Sequence, residues 1–491
     1  MTSLKNVFKA FPPSMDVVES TTQYDGAIKQ YLASLTQLSR EERLDLTQSS
    51  IKVLDEIDAA DNSLGYLTIL DILLEDASST PGITRDELLD RILEFLLKFD
   101  PIQVRYMMAQ FLSLLARVSN GNYFSPLVAV DLIATAMLRL DPAGSTFTPL
   151  HLPLARLAYM TNSIEPALGI LDADIFFYPN MPGSIDTRPL CDPDVPPYHF
   201  MPSGAMRVEC LESTHLIEYD LCRGMAYVSR RDWDKALDVF EHAITHPAKD
   251  KGVSKIMTEA HKKWVLVGLL SLGRLPPLPE RTPHMSQSTF EAANGLYNSF
   301  ATLFQGNKTG ELKKMSEEND QRWNEDGNAS LVAEVMAAYQ KWQIVNLRDV
   351  YERVSIAEVR RSTVSAETGE PSVDDETIVV LVRDMIKSGM LKGDIEEGQG
   401  AADSYLSFAT GRRLLSEAEF TKEVARRHES ILSLSQLYRA TDVRLSGHQD
   451  FVCYLAKEEQ RAEMDRESDP AVGFESQIED EDLMTGIMAT I

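Results

Sequence analysis

From residue 25 to about residue 175, apolar residues recur every three or four positions in blocks separated by short polar breaks, the spacing of amphipathic helices. In GAIKQYLASLTQL, Ile28, Tyr31, Leu32 and Leu35 fall on one stripe. TRDELLDRILEFLLKF opens on Thr84 with Glu87 three residues on, which predicts a capping box: each side chain bonds the other's backbone N–H. PIQVRYMMAQFLSLLARVSNG starts with Pro101 at a first-turn position and ends in Asn120-Gly121, so it reads as one helix. PLVAVDLIATAMLRLD and PLHLPLARLAYM follow, and strand patterns are almost absent. Many ordinary helices on short connections predict stacked helical pairs over residues 1–177 rather than one compact bundle.

Residues 178–205 break the period with prolines and glycines and read as a long loop. Helical spacing returns over residues 206–345. In the stretch Leu221–Pro247, Gly224, Tyr227, Ala236, Phe240 and Ala243 stand at the small and aromatic spacings of a tetratricopeptide repeat. Small residues let the two helices of a pair approach, and aromatics fill the gap between pairs.

Over residues 346–410 the pattern changes from helix to helix-plus-hairpin, the outline of a winged helix. Ser355 is a candidate cap for IAEVRR, and a polar insert, STVSAETGEPSV, follows. Asp374, Asp375 and Glu376 then open a second helix, where carboxylates suit the positive end of the helix dipole. Ile378, Leu381, Val382, Met385 and Ile386 form its apolar face, and Gly389 ends it. LKGDIEE and SYLSFA, around a Gly-rich turn, predict a β-hairpin, with Leu391 and Ile395 on one face. Residues 411–445 hold one more helix, on which Phe420, Val424, Ile431, Leu434 and Tyr438 repeat at steps of three, four and seven. Such a stripe faces a partner, or packs back on its own winged helix. Residues 446–491 form a tail whose segment Asp450–Asp482 has twelve acidic against three basic residues, 12 − 3 giving a net of −9, and it reads as largely disordered.

Charge narrows the function. The chain of 491 residues carries a formal net charge of −27, the wrong sign for a protein whose main task is gripping phosphates. From Asn346 to Leu415, nine Lys or Arg oppose thirteen Asp or Glu, so 9 − 13 leaves −4 on the winged-helix segment itself. Nucleic acid is therefore not an expected partner. The longest apolar run, Trp264–Gly273, is too short to span a bilayer, and MTSLKNVFKAFPPS has no long apolar core of a secretory signal. Four scattered cysteines make no disulfide framework, so a reduced intracellular protein without membrane contact is expected.

Motifs for chemistry are incomplete. His242 and His246 are four apart on a helix, a spacing that can ligate zinc, but neither a third ligand nor a base accompanies them. A zinc isopeptidase needs a His-x-His-Pro pair, and here Ile244 stands two before His246-Pro247. His428-Glu429 lacks the second histidine of a metalloprotease helix, and Gly306–Glu311 lacks the spacer of a phosphate loop. Cys222 reads as a small apolar packing group. No catalytic residue, cofactor site or metal site is predicted.

Helical repeats feeding a winged helix and a trailing helix resemble the PCI family, whose members build the proteasome lid, the COP9 signalosome and a translation initiation factor. Ile356-Ala357, the run from Met385 to Leu391, and Ile395 match its typical pattern of an I-A helix followed by M-I-x-x-G-x-I/L-x-x-x-I. Arg231–Pro279 and Asp326–Val332 are similar to the signalosome's third-subunit family, a resemblance strong over about residues 205–445. It implies an all-α dominated fold: a right-handed TPR/HEAT-like solenoid, a winged helix with a small β-hairpin, and a C-terminal bundle helix. It implies a non-catalytic scaffold in the complex that removes NEDD8 from cullins, with other PCI and MPN subunits as partners, cullin-RING ligases as indirect ones, and a place in nucleus and cytoplasm. Assembly contacts are then expected at Met385, Ile386, Leu391, Ile395, Tyr405 and Phe408 of the winged helix, and at Phe420, Val424, Ile431, Leu434 and Tyr438 of the last helix. A proteasome-lid subunit is the nearest alternative, and a nucleic-acid-binding winged-helix factor is the alternative from another class.

Overall fold

A computed structural model describes residues 20–39, 52–75, 84–177, 213–246, 253–280, 284–306, 308–396, 404–408 and 417–446 in continuous runs, with shorter pieces between and beyond. The first part is a succession of helices: α1 (Thr21–Thr36), α2 (Ser63–Glu75), α3 (Arg85–Lys98), α4 (Met108–Ser119), α5 (Pro126–Leu140) and α6 (His151–Thr161). Local chemistry sets their starts. Ser20 Oγ accepts from the Gln23 N–H at the head of α1. At α3 the capping box is complete: Thr84 N donates to Glu87 Oε2 at 3.0 Å, and Glu87 N donates to Thr84 Oγ1 at 3.3 Å.

The stretch from Pro101 to Ser119 is not one helix. A turn at Pro101–Val104 and a 3-10 turn at Arg105–Met107 precede α4, and the chain kinks at Met107 (φ −125°, ψ 37°). The first turn presents the buried Gln103 amide to the start of α2. Its Oε1 accepts from Ser63 N at 2.8 Å and its Nε2 donates to Asp61 O at 3.0 Å.

Helices α7 (Ser213–Ser229) and α8 (Trp233–Thr245) form the repeat-like pair. Their closeness depends on Gly224, where an added Cβ would lie 2.4 Å from the Phe240 ring. Helix α9 (Lys255–Leu272) packs on α8, and α10 (His284–Ala293), α11 (Gly295–Gln305), α12 (Thr309–Glu318), α13 (Asp320–Glu325) and α14 (Ala329–Asn346) complete this part. Two stretches with continuous helical spacing are broken, at Asn294 and at Asn319. At the first break the buried Asn294 amide donates to Thr258 O and meets His261 Nδ1 at 3.0 Å, which ties the turn to α9. One hydrophobic core runs from Phe8 to Tyr339 and takes in Ala366.

A second, smaller core belongs to the winged helix: β1 (Arg353–Ser355), α15 (Ile356–Ser362), α16 (Asp375–Lys387), β2 (Gly393–Glu396) and β3 (Tyr405–Phe408). The hairpin anticipated from the pattern is part of a three-stranded antiparallel sheet of order β1-β3-β2, with Leu406 opposite both Val354 and Ile395. Trp342, near the end of α14, packs against both cores. The polar insert also joins the two parts. Ala366 is buried in the larger core, and Gln340 Nε2 donates to Thr363 Oγ1 and Ser372 Oγ. Helix α17 (Glu417–Ser446) follows.

Within the segment read as a loop, Pro197–Phe200 forms a helical turn. Residues 178–187 and 202–212 lie outside the described residues, as does the acidic tail from 458 onward.

Candidate assembly surface

The most unusual feature is α17. Phe420, Val424, Ile431, Leu434 and Tyr438 are 59%, 50%, 62%, 62% and 73% exposed, so the stripe does not pack back on the winged helix of its own chain. All five lie within one narrow face by the 3.6-residue period. Leu445, seven residues after Tyr438 and also exposed, extends it. The sequence carried that signal, since the step of seven repeats. An amphipathic helix whose apolar face is left in water is normally covered by a partner.

The winged-helix candidates fall elsewhere. Met385, Leu391 and Phe408 are buried in the small core, and Ile386 and Ile395 are packed against it. These five therefore shape the sheet. Tyr405 alone of the six is exposed, with the Arg353 guanidinium 4.4 Å above its ring centroid. What the sheet offers a neighbour is backbone: β2 pairs with β3 on one side, and its other edge is unpaired among the described residues. Gly389, at φ +78°, ends α16 and sets the approach to that strand, with Leu391 N donating to Met385 O at 3.1 Å. Spacing alone did not single out Val350, Val373 and Val380, which are exposed around the same subdomain.

Two basic residues of the winged helix are engaged within it. Arg360 Nε lies 2.7 Å from Asp375 Oδ1, and Arg353 pairs with Glu396. With Asp375 and Glu376 in its first turn, α16 presents negative charge at the end that would enter a DNA groove.

A buried polar network sets the launch of α14, the helix that carries the winged helix. Lys262 Nζ donates to Glu259 Oε1 at 2.7 Å and Asp326 Oδ1 at 2.8 Å. Tyr297 Oη donates to Asp326 Oδ2, Asn328 Nδ2 donates to Tyr297 Oη, and Lys263 Nζ donates to Asn328 Oδ1, each at 2.8 Å. Burial alone would raise Asp326, but the bonds from Lys262 and Tyr297 hold it below the usual carboxylate range. Burial pushes the Lys263 amine below its ordinary value.

Among the described residues, no group of three or more His, Cys, Asp or Glu could hold a metal ion. His242 lies exposed in the last turn of α8 and His246 caps its C-terminus. Cys222 packs half-buried on the larger core, and burial pushes its thiol up to about 11. No helix of the described residues is long and apolar enough to cross a membrane.

Solenoid, winged helix and an uncovered trailing helix together define a PCI-type architecture. Comparison with known proteins makes this specific. The family model for the N-terminal helical repeats of COP9 signalosome complex subunit 3 matches residues 27–286. The chain is similar to COP9 signalosome complex subunit 3 of Neurospora crassa, 33% identical over 493 residues, covering 98% of this chain and 99% of that protein. It is also similar to the protein of that name in Emericella nidulans, 30% identical over 346 residues, 67% of this chain and 68% of the other. The chain belongs to the COP9 signalosome complex subunit 3 family.

Proposed function

We propose that this protein is a non-catalytic scaffold subunit of a COP9 signalosome, the complex that removes NEDD8 from cullins. The observation that carries the reading is the exposed stripe of α17, five large apolar side chains with no cover among the described residues. In this reading the stripe enters a bundle with helices of other PCI and MPN subunits. The open edge of β2 adds to the sheet of a neighbouring winged helix. The buried network around Asp326 fixes the start of α14, the helix that leads into the winged helix. Cullin-RING ligases are reached through the complex, which works in nucleus and cytoplasm, and neither nucleic acid nor membrane is a partner.

Reconstitution with the other subunits tests this. Val424→Asp with Ile431→Asp, and separately Ile395→Pro, at the β2 residue whose N–H faces away from β3, are expected to leave the helical circular dichroism unchanged and to abolish incorporation. A folded double variant that still enters the complex fully would remove the bundle role of α17, and a folded Ile395→Pro variant that does so would remove the strand-pairing role.

A further inference from the structure

The stripe of α17 is not wholly apolar. On a heptad frame Val424, Ile431, Tyr438 and Leu445 form one seam, and Phe420, Arg427, Leu434 and Thr441 form the other. A helix that covers Val424, Ile431 and Leu434 therefore covers Arg427 as well. Taking a guanidinium out of water is costly unless a carboxylate meets it there. Within its own helix Arg427 Nε donates to Glu423 Oε1 at 2.9 Å. Its two terminal nitrogens have no hydrogen bond among the described residues, and they form the planar fork that takes a carboxylate with two parallel bonds. Glu423 stands at the flank of the seam, so it restrains the Arg427 side chain without filling the position opposite it.

Resting on the reading of this stripe as an assembly surface, we propose that Arg427 selects the partner: the helix that seats on α17 comes from another chain and presents an Asp or Glu opposite Arg427, which fixes its register. A single polar residue in an apolar seam is a known device for register and partner choice. The same residue works against self-pairing. Two copies in parallel would set Arg427 against Arg427, and two in antiparallel, centred on the stripe, would set it near Tyr438, which has no carboxylate.

The experiment compares the full chain, R427E and the V424D/I431D double variant in reconstitution with the other subunits, with circular dichroism of each free chain. R427E is expected to incorporate at least about tenfold less well than the parent chain. Cross-linking then locates the helix facing Ser430, and reversal of its carboxylate to Lys is expected to restore R427E. R427E incorporating within about twofold of the parent, while V424D/I431D is lost, overturns the selection by charge and leaves the assembly surface standing. R427E that is lost and that no reversal on the facing helix restores also overturns it, because the counter-charge is then not the partner's. Full incorporation of V424D/I431D would overturn the assembly reading itself.

Discussion

Helix α9 buries residues on nearly every face, two lysines among them, whereas α17 leaves its whole apolar stripe in water. Both are regular helices, and both contain hydrophobic residues three and four apart. The difference lies in what surrounds them. Helix α9 is wrapped by α8, α10, α11 and α14, so its Lys262 and Lys263 must find carboxylate and amide partners inside. Helix α17 leaves the winged helix and meets no comparable neighbour among the described residues. One helix contributes to the stability of the chain, and the other leaves its apolar surface for the partner proposed above. Periodicity tells that a face will be covered; it does not tell by whom.

The contrast can be broken at four points. The largest effect is expected in the wrapped helix. Trp264 is 1% exposed, and Trp264→Ala should cost about 3–5 kcal/mol, read as a lower denaturant midpoint of the free chain. Unfolding at unchanged midpoint would mean that α9 is not central to the fold.

Acid comes next. Burial lowers His261 on α9 to about 4 and His151 on α6 to about 3, from 6.5. Below pH 6.5 the unfolded chain takes up these protons and the folded chain does not. Stability is therefore complete above that pH and lost as pH falls toward 4 and 3 respectively. Between pH 7 and pH 5 the loss should be about 2 kcal/mol for each histidine, measured at both values as the difference between the parent and a His151→Gln, His261→Gln variant, because burial raises Asp220 to about 7 and shifts stability the opposite way over the same range. An equal change with pH in the parent and in that variant would show that neither ring is held neutral.

A smaller change tests a helix end rather than a helix face. Thr84→Ala removes the capping box of α3 and should cost about 1 kcal/mol. The smallest effect on stability belongs to α17. Ile431→Asp should leave the free chain within about 0.5 kcal/mol of its parent and yet remove it from the reconstituted complex. A large loss of stability in the isolated chain would place a covering surface for Ile431 within the protein itself.

Much of this architecture was legible because its causes are local. The capping box at Thr84, the stop at Gly389 and the small residue at Gly224 all act over one or two turns, and the stripe of α17 needs only the helical period to be seen. Met385 was legible as part of an apolar helix face and Leu391 as sharing a face with Ile395, but that Met385, Leu391 and Phe408 are buried in the small core was not. Strand β1 was not legible. Three residues are too few to show an alternation, and their partner is β3, about fifty positions along the chain. Equally hidden were the breaks at Met107, Asn294 and Asn319 and the docking of the polar insert through Ala366 and Thr363.

By itself, then, the sequence determined which segments are helical, which faces are apolar and where the charge lies, because each is settled among residues a few positions apart. Only the tertiary structure decided which of those faces are covered. Burial of Lys263 against Asn328, or of Gln340 against Thr363, depends on segments brought together from 65 and 23 positions apart, and no local preference encodes that distance. The exposed stripe of α17 is the counterpart: a face that no segment among the described residues covers.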